Sequence, residues 1–116
     1  MKDNILRNKS FDFAVRVVNL CRYLVDEKKE FVLSKQLLRS GTSIGANVEE
    51  AIGGQSRSDF LAKLSIAYKE ARESLYWIEL LNKTEFLSDK ESVSIKNDIE
   101  EILKIIGRIR KTILNS

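Results

Sequence analysis

Histidine and proline are absent from this 116-residue chain, cysteine and tryptophan occur once each, and glycine five times. Without histidine, the usual base for activating a serine or cysteine nucleophile is missing, and a zinc site would have Cys21 as its only soft ligand. A lone cysteine also excludes an internal disulfide. With no apolar leader in M-K-D-N-I-L-R-N-K-S, the expected compartment is cytoplasmic. The absence of proline and scarcity of glycine permit long helices and disfavour turn-rich β architecture. Apolar runs are only a few residues long, so no membrane-spanning segment is expected. No G-x-x-x-x-G-K-[ST] phosphate loop occurs. These absences point away from an enzyme, and no cofactor or metal is expected.

Hydrophobic residues make up 43% of the chain and charged residues 32%, the balance of a globular protein. The length suits one compact domain over residues 1–116. The formal charge of +3, with a pI near 9.0, is spread thinly along the sequence. It permits an anionic partner without demanding one.

Apolar periodicity organises the chain into four amphipathic helices, expected at about 10–28, 33–53, 57–82 and 88–114. Residues 1–9 read as a polar lead-in, with Ser10 as the N-cap of the first helix. From Phe11 to Glu27 the apolar positions spread over roughly 220° of the helical wheel. One core needs only about 100–150°. The surplus implies a second covered surface, most simply another copy of the chain. Ser56 with Asp59, and Ser88 with Glu91, have capping-box spacing and open the third and fourth helices. In the third, Phe60, Leu64, Ala67, Ala71, Ser74, Ile78 and Leu81 form a seam at steps of four and three. In the fourth, Ile95, Ile99, Ile102, Ile106, Ile109 and Ile113 do the same. Short links force neighbours to run antiparallel. The expected fold is all-α, an antiparallel up-down-up-down four-helix bundle.

The most distinctive stretch is Gln36 to Ala51, Q-L-L-R-S-G-T-S-I-G-A-N-V-E-E-A. Leu37, Gly41, Ile44, Val48 and Ala51 share one helical face, with Gln36, Arg39, Ser43, Asn47 and Glu50 on an adjoining polar stripe. Gly41 and Gly45 each cost about 1 kcal/mol against alanine in a helix interior, so close approach by another backbone is the expected benefit. Gly41-Thr42-Ser43-Ile44-Gly45 matches the G-x-S-x-G elbow of hydrolases, but neither a histidine nor a strand-turn-helix context supports it. The polar stripe reads instead as a device that sets register between helices or subunits. An antiparallel hairpin at Gly53-Gly54 would bring Arg39 near the level of Lys69 and Glu70, with Glu73 within a turn, so a pair with one of these carboxylates is expected. Glu70 and Glu73 lie off the core stripe, which favours salt-bridged carboxylates over a metal site. Cys21 reads as a buried small hydrophobe. Trp77, Tyr76 and Tyr68 could stack on bases, but packing at the bundle or a subunit boundary is favoured.

The Gln36–Ala51 stretch, with F-D-F-A-V-R-V-V before it and S-R-S-D-F-L-A-K-L-S-I-A-Y-K-E-A-R-E-S-L-Y-W-I-E-L-L after it, resembles the four helix bundle protein family. These are also called 23S rRNA intervening-sequence proteins, because some are encoded in insertions within large-subunit rRNA genes. The resemblance runs from about Ser10 to Leu81 and rests on Gln36, Arg39, Ser43, Ile44, Asn47 and Glu50, then on Phe60, Ala67, Glu70, Ala71, Glu73 and Trp77. It implies a non-enzymatic homopentamer with a central channel. The family includes the accessory variability determinant of diversity-generating retroelements. Through that member it implies binding to RNA or DNA and, in a retroelement, partnership with a reverse transcriptase. Lys9, Arg16, Arg22, Lys35, Arg57 and Lys63 are the candidate nucleic-acid contacts. Gln36, Arg39, Gly41, Ser43, Gly45, Asn47, Glu50 and Trp77 form the structural or oligomer motif. The alternative is a protein–protein interaction scaffold that leaves nucleic acid alone.

Overall fold

In the computed structural model, which describes residues 2–115 and side chains from Ile5 onward, four helices account for nearly all of the chain. They are α1 (Lys2–Asp26), α2 (Leu33–Ile52), α3 (Arg57–Lys83) and α4 (Asp89–Leu114). Each packs on the next, and α4 returns to α1 through the least extensive of the four seams. Cross-helix pairs descend one helix as they climb its neighbour, so the bundle is up-down-up-down: Arg7 with Glu49 and Cys21 with Ser34, then Lys63 with Glu50 and Arg39 with Glu70. The outcome is a rod of about 47 × 21 × 20 Å.

The helical periods place the core where the sequence puts it. Leu37, Gly41, Ile44, Val48 and Ala51 of α2 are buried, as are Leu64, Ala67, Ala71, Ser74, Ile78 and Leu81 of α3. Burying a branched aliphatic side chain contributes about 1.5–3 kcal/mol, so the fully enclosed isoleucines and leucines are a large part of the stabilisation. Both expected serine caps form. Ser56 Oγ accepts from the Asp59 amide at 3.0 Å, and Ser88 Oγ from the Glu91 amide at 3.2 Å.

One helix start differs from expectation. The first helix already runs at Lys2, so residues 2–9 are not a lead-in and Ser10 is not a cap; Met1 lies outside the described residues. Leu6 is buried in the core, which gives those first turns an apolar anchor that the polar composition obscures. Ser10 is fully buried within α1, and its hydroxyl has no hydrogen-bond partner among the described residues. The second helix starts at Leu33 as expected, with Val32 in the cap position, which offers no side-chain acceptor. Glu30, only 8% exposed, reaches forward instead. Its carboxylate accepts from the amides of Val32 (3.1 Å), Leu33 (2.9 Å) and Ser34 (2.6 Å). Burial works to raise the Glu30 pKa, but these backbone donors outweigh it and hold the group below the ordinary carboxylate value.

Candidate functional site

The Gln36–Ala51 segment supplies two unlike faces. Toward α1 it is shaped by glycine. A β-carbon at Gly41 would lie 2.8 Å from Val17 Cγ2 and 2.9 Å from Cγ1, closer than such atoms approach. At Gly45 the nearest atom would be the Ser10 carbonyl oxygen at 3.4 Å, an ordinary contact. The backbone approach expected at both glycines is met at Gly45, beside Ser10, whereas Gly41 makes room for the Val17 side chain. Toward α3 the face is polar. The buried Ser40 and Ser74 hydroxyls share a hydrogen bond at 2.9 Å, and Ser74 Oγ also lies 2.9 Å from the Glu70 carbonyl.

Outside that buried pair, Arg39 spans both Glu70, at 3.2 Å, and Glu73, where a pair with one of them is expected from the sequence. Trp77 Nε1 donates to Glu73 Oε2 at 2.9 Å, completing an Arg39–Glu73–Trp77 chain. The Trp77 bond and the Arg39 guanidinium hold the Glu73 pKa below its ordinary value, and Glu73 in turn raises that of Arg39. Glu50 pairs with Lys63 at 3.0 Å. The rest of the polar stripe behaves differently. Ser43 Oγ donates to the Arg39 carbonyl at 2.6 Å and Asn47 Nδ2 to the Ser43 carbonyl at 2.8 Å, both within α2. Gln36 is exposed. Among the described residues only Arg39 and Glu50 of the stripe bridge helices, and Ser40, which the sequence pattern left out, joins them.

The expected aromatic group divides. Trp77 packs against the core with Tyr76 edge-on, ring centroids 5.0 Å apart, whereas Tyr68 faces α4 and lies under the Arg110 guanidinium at 5.2 Å. Cys21 is buried, its thiol donating to the Ser34 carbonyl at 3.2 Å. Burial, aided by Glu30, pushes its pKa up to about 11, so the thiolate is disfavoured.

The six candidate nucleic-acid contacts do not converge on one surface. Lys9 pairs with Glu101, and Arg16 with Asp98 at 2.7 Å and with Ser94 at 2.8 Å, both across the α1–α4 seam. Lys63 is held by Glu50. Arg22, Lys35 and Arg57 are exposed and take part in none of the ion pairs among the described residues. Arg22 and Lys35 each follow one member of the Cys21–Ser34 contact, so they stand at the same level on the α1–α2 face. The broad apolar arc of α1 lies on this face. Phe11 is 67% and Val15 46% exposed, and α2 contributes Leu38 at 38%, one turn before Gly41. Phe11, Val15, Val18 and Arg22 recur at steps of four, three and four, so the stripe leads into the free cation.

No helix among the described residues is long and apolar enough to cross a membrane. The chain is similar, at 58% identity and a TM-score of 0.94, to a crystal structure of a protein of unknown function from the S23 ribosomal protein family of Bacteroides thetaiotaomicron, covering 96% of this chain and 99% of that one. No curated protein matches it. The profile described as 23S rRNA-intervening sequence protein matches residues 2–108, reaching well past the segments that carry the resemblance into α4. This chain belongs to the 23S rRNA-intervening sequence protein family.

Proposed function

We propose that this protein is a non-enzymatic homo-oligomer, a pentamer by family resemblance, that binds RNA or DNA on its assembled surface. The exposed Phe11–Val15–Leu38 stripe carries the assembly half of this reading. Contiguous apolar side chains on the outside of a bundle are costly in water and are relieved by a partner surface. The nucleic-acid half rests on Arg22 and Lys35, free cations at the end of the same stripe, which symmetry would repeat once per copy. In a retroelement setting the assembled surface would also meet a reverse transcriptase.

Light scattering of the purified chain tests the first half. A multiple of the monomer mass is expected, falling to the monomer in Phe11→Asp with helicity retained; a monomeric parent chain ends the reading. Titration with single- and double-stranded RNA and DNA over a salt series tests the second half. Binding should weaken as salt rises and weaken uniformly in Arg22→Glu with Lys35→Glu. The competing reading, a protein-interaction scaffold, is favoured by the engagement of Lys9, Arg16 and Lys63 with Glu101, Asp98 and Glu50. A salt-insensitive or absent nucleic-acid signal would favour that scaffold.

A further inference from the structure

The isoleucine seam of α4 outruns the bundle that it closes. Ile95, Ile99, Ile102 and Ile106 are buried, but Ile109, the next seam position, is only half-buried, as is Ile105 beside it. Opposite them stand the first turns of α1 and α3, which offer Ile5, 52% exposed, and a half-buried Phe60. Between these elements runs an open groove of about 720 Å³. Its floor residues Ile105 and Ile109 are one helical turn apart, as are Ile5 and Lys9 on the other wall, so the groove follows the helix axes for at least about 6 Å.

The walls are cationic. Between Glu101 and the end of the sequence, α4 carries Lys104, Arg108, Arg110 and Lys111 and no acidic residue. Basic residues in a last turn complement the helix dipole, which is the ordinary reason for them. Arg108 and Lys111, however, line the groove and enter none of the ion pairs among the described residues. The carboxylate at the groove, Glu101, is committed to Lys9.

We infer that this groove docks an acidic amphipathic helical segment of another protein. An apolar floor stepped at helical spacing between two antiparallel helices is completed by a third helix laid along it, with leucine-like anchors at alternating steps of three and four. Glutamates flanking those anchors would meet Arg108 and Lys111. A phosphate backbone has no use for an isoleucine floor, so nucleic acid is the poorer occupant. The groove involves the α1–α4 seam, away from the α1–α2 stripe, so this inference stands apart from the oligomer reading.

The test uses a labelled peptide of about 16 residues, with leucines at those steps and glutamates flanking them, and a twin with lysine for every glutamate. Fluorescence anisotropy with the intact protein should saturate at one peptide per chain, with the acidic peptide at least about tenfold tighter than its twin. Ile109→Glu, and separately the exposed double variant Arg108→Glu with Lys111→Glu, should each weaken binding at least about tenfold while circular dichroism is unchanged. Phe11→Ser should bind as the parent does. No binding of the acidic peptide, equal affinity for the twins, retention by both groove variants, or loss in Phe11→Ser overturns the inference. So does capture of anionic phospholipid vesicles that the peptide fails to displace, which would assign the groove to a membrane surface.

Discussion

The two sides of α2 are joined to their neighbours by different physics. Against α1 the middle of the contact is steric, with Gly41 under the Val17 methyls and Gly45 beside the Ser10 backbone, and the polar links Cys21–Ser34 and Arg7–Glu49 lie toward its two ends. Against α3 it is chemical: a buried Ser40–Ser74 hydrogen bond, then Arg39 on Glu70 and Glu73, then Glu50 on Lys63. The steric side sets how near the helices come and tolerates little added volume. The polar side sets which residue stands opposite which. Exposed ion pairs contribute only about 0–1 kcal/mol each, so the register they encode is informative out of proportion to the stability they add.

Substitutions can separate these effects. The largest expected is from Gly41→Leu. It drives a side chain into the space of Val17, and chemical denaturation should show a loss of at least about 3 kcal/mol, or no folded state. Gly45→Ala is the comparison, because its β-carbon meets only ordinary contacts. It should leave stability unchanged or raise it by up to about 1 kcal/mol through helix propensity. A loss at Gly45 equal to that at Gly41 would mean that the α1–α2 approach is uniformly tight, against the distances here.

Next comes the buried hydroxyl pair. Ser74→Ala removes the cross-helix partner of Ser40 and should cost about 1 kcal/mol, while the double change of Ser40 and Ser74 to Ala should cost less than the sum of the single changes. Strict additivity would show that the bond does not couple α2 to α3.

The smallest expected effect belongs to the exposed network. Arg39→Ala should cost about 1 kcal/mol or less at neutral pH and less still at high salt. Its pH dependence is more diagnostic. Glu73 and Glu30 both have folded pKa values depressed below the ordinary 4.5. The stability they contribute is present above the unfolded pKa and is lost as pH falls through the folded one. Acid unfolding should therefore steepen below about pH 4.5 and flatten partly in Glu30→Gln, with a lesser flattening in Arg39→Ala. An acid limb unchanged in both variants would remove these carboxylates from the account.

Legibility followed the strength of the periodic signal. The buried faces of α2, α3 and α4 through Ile106, both serine caps and the Arg39 pairing could be read because each depends on residues within a few turns or on one hairpin level. The start of α1 could not. Its first turns are polar except for Ile5 and Leu6, and tertiary burial of Leu6 against the core overrides the cap signal at Ser10. The Glu30 cap was hidden because a carboxylate two residues outside the cap position follows no standard spacing. It depends on a tight turn in which Lys29 adopts a positive φ of 54°.

The candidate contacts show the same divide. By itself the sequence determined that four amphipathic helices must bury their apolar faces, that neighbours joined by short links run antiparallel, and that α1 has more apolar surface than one core can use. These are consequences of period and length. Only the tertiary structure decided which cations are spent on carboxylates and which remain free, because Lys9 and Glu101, or Arg16 and Asp98, are distant in sequence and meet only when the α1–α4 seam closes. It also decided where that seam stops short. The period of α4 continues through Ile109 regardless of what stands opposite, whereas burial depends on how far the neighbouring helices reach.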